Sequence, residues 1–182
     1  MEKYSYSKLE CYKGCAFKYK LKYVDKLNFF AQNIATELGT CVHSIEEDIA
    51  NAIKAGETIN YIALKNRLIL KMYELEHKYP EAYQELDKAD KTYTEKIYDY
   101  LDSGIYRLEK YLKENPTYEV VGTEVSFLFE FSGVKFQGYI DRVIKDTATG
   151  KYIIHDIKTW GVPKEDKELV TPLQFVVYVL AA

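Results

Sequence analysis

The sequence predicts an α/β fold of α+β-like order, in which a helix and a helical insertion precede an antiparallel three-stranded meander and a closing helix. Three observations predict it. Between about residues 34 and 113 apolar side chains recur every three or four positions, the repeat of amphipathic helices. Beyond Pro116 the repeat falls to two, and two turn signals cut that stretch into three strands. A last apolar segment opens near Thr171-Pro172, with proline at a first-turn position.

The first helix carries Ile34, Leu38, Val42, Ile45, Ile49 and Ile53 on one stripe, with Thr36 as its expected N-cap and Gly56 near its stop. A second helical stretch runs from about Tyr61 to Tyr79 and halts at Pro80. A third, from Pro80 or Thr92 to Lys113, places Ile97, Leu101, Ile105, Leu108 and Leu112 on one face. It ends at Asn115-Pro116, because the residue before proline is driven out of helical geometry. Tyr118 to Phe131 then reads as a strand, Ser132-Gly133 as a two-residue hairpin turn and Val134 to Lys145 as the returning strand. Asp146 to Gly150 forms the next turn and Lys151 to Thr159 the third strand, which Gly161 and Pro163 break. A charged loop, Lys164 to Glu168, leads to the final helix.

At 182 residues the chain suits one domain with an insertion at about 57–115. Hydrophobic residues make up 47% and charged ones 29%, which excludes the disordered class. No apolar run approaches the roughly 18 residues of a membrane span. The N-terminus has no apolar core of a secretory signal, and three cysteines (Cys11, Cys15, Cys41) fit a reducing compartment, so a cytoplasmic address is expected. A net charge of -3 excludes nucleic-acid binding by bulk basicity alone, but not a metal-dependent site, whose cations reverse the local sign. The eighteen tyrosines read mainly as half-buried packing side chains. Near the start, Lys13, Lys18, Lys20, Lys22 and Lys26 interleave with Tyr19 and Tyr23. Such a segment suits phosphate and base contacts or, equally, a solvated helix with its rings turned inward.

The chemistry concentrates on the second and third strands. In Tyr152-Ile-Ile-His-Asp-Ile-Lys158, Asp156 and Lys158 are two apart and share a face about 7 Å apart. One register of the meander sets Asp141, from Gly138-Tyr-Ile-Asp-Arg142, directly across from Asp156, with Cβ atoms about 5 Å apart. Two carboxylates that close on an apolar sheet imply a cation between them or a raised pKa. Hard oxygen ligands with room for water favour Mg²⁺ or Mn²⁺. Asp/Glu-x-Lys alone is a weak pattern, since Glu76/Lys78 and Glu165/Lys167 repeat it, and the bland alternative is an ion pair on a solvated sheet. Gly39 and His43 lie one helical turn apart, with Glu46 and Glu47 just beyond. Gln174 and Tyr178 are similarly spaced on the last helix. Each of these stripes also reads as ordinary structural polarity.

Taken in order, Gly39-xxx-His43, Gly138-Tyr-Ile-Asp141-Arg142, Asp156-Ile-Lys158-Thr159 and Gln174-xxx-Tyr178 resemble the RecB-like branch of the PD-(D/E)XK nuclease superfamily. That branch includes the nuclease domains of helicase–nucleases and the CRISPR-adaptation nucleases. The opening Ser7-Lys-Leu9 through Cys15-Ala-Phe-Lys-Tyr19 resembles the branch's N-terminal segment, with Ala16 where proline is usual. The resemblance spans nearly the whole chain except the insertion.

The resemblance implies a restriction-endonuclease-like core in which His43, Asp141, Asp156 and the backbone carbonyl of Ile157 ligate Mg²⁺ or Mn²⁺. It implies Lys158 as the catalytic lysine, acting with Asp141 and Asp156, and Gln174 and Tyr178 as substrate-binding residues. Glu124 matches an acidic position on the first strand, or is a strand-edge charge. Tyr139 and Arg142 flank Asp141 and either touch substrate or pack and solvate.

Two departures stand out. Many members carry a [4Fe–4S] cluster held by four cysteines. Only Cys15 matches a cluster position, so no such cluster is expected in this chain. The family core also continues past the last helix, and a C-terminal truncation at Ala182 is expected, with which both strand and cluster would be lost. The resemblance thus implies a metal-dependent DNase, an exonuclease on DNA ends or single strands in recombination, repair, phage or CRISPR processing. DNA is its partner, together with a helicase or other subunit, and no membrane. The alternative is a catalytically silent DNA-binding or interaction module that keeps the fold.

Overall fold

Turn chemistry and apolar period set the elements, and the computed structural model describes residues 3–27, 34–88, 93–159 and 173–181. The chain divides into two compact units. One contains residues 32–123 and 141–160 and is mostly helical. The other contains residues 1–31, 124–140 and 161–182.

The helical unit is organised by α3 (Ile34–Ala55), whose stripe Ile34, Leu38, Val42, Ile45 and Ile49 is buried as the spacing requires. Gly56 follows with a φ of 69°, the left-handed stop that glycine adopts without steric cost. Thr36 lies inside α3 rather than at its N-cap, and its carbonyl accepts the Thr40 hydroxyl at 2.9 Å. Helix α4 (Tyr61–Lys78) is capped by Asn60, whose side chain accepts the Ala63 N–H at 3.0 Å. It packs Leu68, Met72 and Leu75 into the same core. Ion pairs link the two helices, an exposed one from Arg67 to Asp48 at 2.7 Å and a half-buried one from Lys71 to Glu37 at 2.9 Å.

After Tyr79 the predicted third helix is divided. Helices α5 (Pro80–Lys88) and α6 (Tyr93–Asp102) are followed by a 3₁₀ turn over Gly104–Tyr106 and by α7 (Arg107–Glu114). The break at Gly104 has a packing cause. A Cβ there would come within 2.8 Å of the Tyr100 ring, and the Ser103 hydroxyl turns back to the Asp99 carbonyl at 3.0 Å. Ile97, Leu101, Ile105 and Leu108 still reach the core despite the interruption. Val120 and Ile144 close that core from the sheet.

Strands β2 (Tyr118–Phe131) and β3 (Val134–Asp146) each run from one unit into the other, and β4 (Tyr152–His155) pairs antiparallel with the end of β3. Ser132 and Gly133 join β2 to β3 with φ of 51° and 77°, the two positive values that a tight hairpin turn needs. The predicted meander gains one strand. β1 (Lys3–Tyr4) adds parallel to β3, pairing Lys3 with Lys135 and Tyr4 with Phe136, so the sheet is mixed with order β1-β3-β2 and β4 on β3.

The same unit holds α1 (Tyr6–Gly14), capped by Ser5, then α2 (Ala16–Tyr19), a π-turn over Lys20–Val24, and the last helix α8 (Leu173–Ala181). In the basic opening segment the rings turn to one another, Tyr12 to Tyr19 at 5.5 Å and Tyr19 to Tyr23 at 5.2 Å. Lys8 and Lys22 lie over Tyr23. Gly161, Pro163, the Lys164–Glu168 loop and the Thr171-Pro172 start fall outside the described residues. Among the described residues no helix is long and apolar enough to cross a membrane.

Candidate active site

The register of β3 against β4 builds the site. Arg142 pairs with His155, Val143 with Ile154 and Ile144 with Ile153. One step further along this register sets Asp141 opposite Asp156. Strand β4 ends at His155, earlier than predicted, because the next backbone donor is diverted. The Ile157 N–H donates to Asp141 Oδ2 at 2.5 Å. A backbone amide held on a carboxylate fixes that carboxylate's position.

Helix α3 brings His43 to the same carboxylate, with Nδ1 3.7 Å from Asp141 Oδ2. Lys158, just past β4, sets its Nζ 2.6 Å from Asp156 Oδ2. The aspartates are enclosed, with side chains 15% and 5% exposed, whereas the Lys158 side chain is 67% exposed. Three elements of the helical unit thus converge on His43, Asp141, Asp156, Ile157 and Lys158.

Burial pushes the Asp141 carboxyl up from its ordinary value. The Ile157 N–H and His43 pull it down, and the Asp156 charge adds to the rise. Next to Asp156, burial lowers the His155 imidazole, and the Arg142 charge adds to that. One imidazole and two carboxylates fit a small divalent cation, which would offset their repulsion. The donor chemistry therefore suits a divalent metal, and His43 and Asp141 bring ligand atoms within 4.8 Å of one another.

Arg142 does not share the exposure of this cluster. It is 4% exposed, and its guanidinium donates to Glu46 Oε2 at 3.0 Å. The Tyr100 hydroxyl donates to Glu46 Oε1 at 2.9 Å. The sequence left two readings open for Arg142, substrate contact or packing, and the structure places it in this enclosed pair. Sequence reasoning did not foresee Glu46 or Tyr100 as its partners. The signal was present, because Glu46 adjoins the apolar stripe of α3 and Arg142 alternates with Ile140 and Ile144 on β3.

In the other unit, Gln174 and Tyr178 meet on α8, the Gln174 amide donating to the Tyr178 hydroxyl at 2.6 Å. Both line a cavity of about 720 Å³, which Tyr139 lines too, 63% exposed. The sequence pointed to these three singly but not to the cavity. Glu124 stands on β2 with a φ of 44°, a left-handed conformation that costs a non-glycine residue about 1–3 kcal/mol. Cys15 is exposed and caps α2, its sulfur accepting the Lys18 N–H at 3.4 Å.

A family model of the PD-(D/E)XK nuclease superfamily matches residues 3–182. The chain belongs to that superfamily. No curated protein matches it. Members of the PD-(D/E)XK superfamily are phosphodiester-cleaving nucleases that use divalent metals, and the convergence of Asp141, Asp156 and Lys158 lies within the matched span.

Proposed function

We propose that this chain is a Mg²⁺- or Mn²⁺-dependent deoxyribonuclease of the RecB-like branch, an exonuclease acting on DNA ends or single strands. The observation that carries this reading is the meeting of His43 with Asp141 at 3.7 Å and of Lys158 with Asp156 at 2.6 Å, on two carboxylates set opposite by the strand register.

A bound divalent cation supplies charge against the phosphodiester oxygens and eases formation of hydroxide from water. His43, Asp141, Asp156 and the Ile157 carbonyl are its proposed ligands. The chain's own residues do the rest. The Ile157 N–H keeps the Asp141 carboxylate from rotating away from the site. Lys158 holds a positive charge at the open side, where a phosphate oxygen gains charge as water adds to phosphorus and gives up a proton to solvent. The P–O ester bond then breaks and the departing alkoxide takes a proton from solvent. Gln174 and Tyr178 hold the nucleic-acid backbone on this reading, and Glu124 adds a further carboxylate. Recombination, repair, phage or CRISPR processing in the cytoplasm, alongside a helicase or other subunit, is the setting such an activity suits.

The test is cleavage of end-labelled single- and double-stranded DNA, with RNA as a further substrate, in Mg²⁺ or Mn²⁺ by the chain and by Lys158→Ala. Metal-dependent cleavage in the parent, lost in the variant, is the expected result. Equal cleavage by both overturns the role of Lys158. An absence of cleavage by either protein, with Mn²⁺ still binding, favours a silent module that keeps the nuclease fold.

A further inference from the structure

Two contacts stand side by side between α3 and β3. His43 Nδ1 lies 3.7 Å from Asp141 Oδ2, and Glu46 Oε2 accepts the Arg142 guanidinium at 3.0 Å. His43 and Glu46 are three apart on the helix, which makes them neighbours on its surface, and Asp141 and Arg142 are consecutive on the strand. We propose that Tyr100, Glu46 and Arg142 form a positioning network that sets the His43–Asp141 spacing for a divalent cation. The inference rests on the metal-dependent reading of the site, and it assigns residues that are not themselves among the proposed ligands.

The spacing matters because the cation is small. Two adjacent ligands on one octahedral Mg²⁺ stand about 3 Å apart, each about 2.1 Å from the ion. At 3.7 Å, His43 and Asp141 are within a small movement of that spacing. They belong to different elements, so the gap depends on how α3 lies along β3. Burial of the apolar stripe of α3 is a non-directional force. A charge-assisted hydrogen bond is short and directional, and this one is anchored a single residue from Asp141. It therefore resists sliding and rotation of the helix at the point where the ligands must meet.

Tyr100 fixes the Glu46 end of the network. Its hydroxyl donates to Oε1 at 2.9 Å and leaves Oε2 for Arg142, so both carboxylate oxygens are held. Burial first, and then the Glu46 charge, push the Tyr100 phenol far above its ordinary pKa, so it stays protonated as a donor. The ring is seated in turn by Gly104, where a Cβ would meet Tyr100 Cδ2 at 2.8 Å. Through this one hydroxyl, α6 is tied to the helix that carries His43. With side chains only 10% and 5% exposed, Glu46 and Arg142 are too enclosed to meet a polymer substrate. What their placement suits is holding other groups.

The experiment compares stability with Mn²⁺ affinity in the full chain, following the EPR signal of free Mn²⁺ during titration. Glu46→Leu/Arg142→Met leaves neither partner's charge unpaired and is expected to fold. It is expected to bind Mn²⁺ roughly ten-fold more weakly than the parent, the lower end of the cost of losing outer partners of metal ligands. Tyr100→Phe keeps the ring and both charges, and a smaller loss in the same direction is expected. Urea denaturation of each variant ensures that affinities are compared between folded proteins. Parent affinity in the folded double variant overturns the proposal and leaves the network a structural tie. If the double variant does not fold, parent affinity in Tyr100→Phe overturns it instead. A parent that binds no Mn²⁺ overturns both this inference and the metal-dependent reading, whereas a parent that binds, with variants that bind equally, removes this inference alone.

Discussion

Glu46 and Arg142 meet as an enclosed ion pair, 3.0 Å from Oε2 to the guanidinium, with side chains 10% and 5% exposed. Glu46 follows His43 by less than one helical turn and Arg142 follows Asp141 directly, so the pair fastens α3 to β3 beside the two residues that converge at 3.7 Å. Tyr100, from the helical stretch that sequence reading treats as an insertion, completes the carboxylate's bonding. Such a pair gains little net stability, but losing one partner strands a buried charge.

Glu46→Ala is therefore expected to lower unfolding free energy by about 3–5 kcal/mol, measured by urea denaturation. Tyr100→Phe removes one donor and keeps the ring, so its expected cost is nearer about 1–2 kcal/mol. The double variant Glu46→Leu/Arg142→Met is expected to recover most of the loss, because no charge is then left unpaired. A double variant as unstable as Glu46→Ala would show that packing, not charge, carries the effect.

Glu37 gives the pH dependence. Its carboxylate takes Lys71 at 2.9 Å, Lys78 at 3.1 Å and the Tyr79 hydroxyl at 3.3 Å. The Lys71 hydrogen bond, with a further contribution from Lys78, holds its pKa below the ordinary value against the opposing effect of burial. A depressed carboxylate pKa stabilises the fold above the unfolded-state pKa of about 4.3, and that stability is lost as pH falls through the lower folded value. Glu37→Gln is expected to cost about 1 kcal/mol at pH 7, with the deficit closing as pH drops through the acid range. Urea midpoints of both proteins at pH 7 and at pH 3 check this. An equal deficit at the two pH values would remove the charge from the explanation.

Much of this arrangement is legible in the sequence, and the part that is not has a common cause. The Ser132-Gly133 hairpin and the register that pairs Arg142 with His155, one step from the two aspartates, follow from local turn chemistry and strand alternation, and the structure has both. The α3 stripe follows from a single period. The division of the helices at Gly104 depends on where the Tyr100 ring lies, and β1 depends on a pairing made across more than a hundred residues. The early end of β4 depends on a side chain, Asp141, capturing the Ile157 amide. Each of these is a tertiary contact that no local repeat encodes. The cavity beside Tyr139 is hidden for the same reason, since the helices and strands that enclose it are far apart in the chain.

The conformation of Glu124 separates backbone from side chain. Its φ of 44° is one that glycine adopts without the steric penalty. Glu124→Gly is expected to leave thermal stability within about 1 kcal/mol of the parent, since relief of strain offsets the added freedom of the unfolded chain. On the proposed role of its carboxylate, the same variant loses metal-dependent activity. Glu124→Gln keeps the strain and also loses activity. Thermal melts and DNA cleavage on the two variants check the pair, and full activity in both would remove Glu124 from the site.

Asp141 sets the fold against the proposed activity. Its side chain is 15% exposed, its pKa is raised by burial, and the Asp156 charge opposes its ionisation. Without metal, an ionised carboxylate there costs stability. Asn in its place keeps an oxygen to accept the Ile157 N–H and drops the charge. Metal-free Asp141→Asn is therefore expected to melt at or above the parent temperature. Added Mn²⁺ should reverse that order. A ligand that binds only the folded state at a hundred times its Kd adds about 2.7 kcal/mol, and only the parent retains the full donor set. Melting curves of both proteins with chelator and with Mn²⁺ make the comparison. A parent protein whose melting temperature is indifferent to Mn²⁺ would remove the cation from between Asp141 and Asp156, and would leave their repulsion to be met by a shared proton.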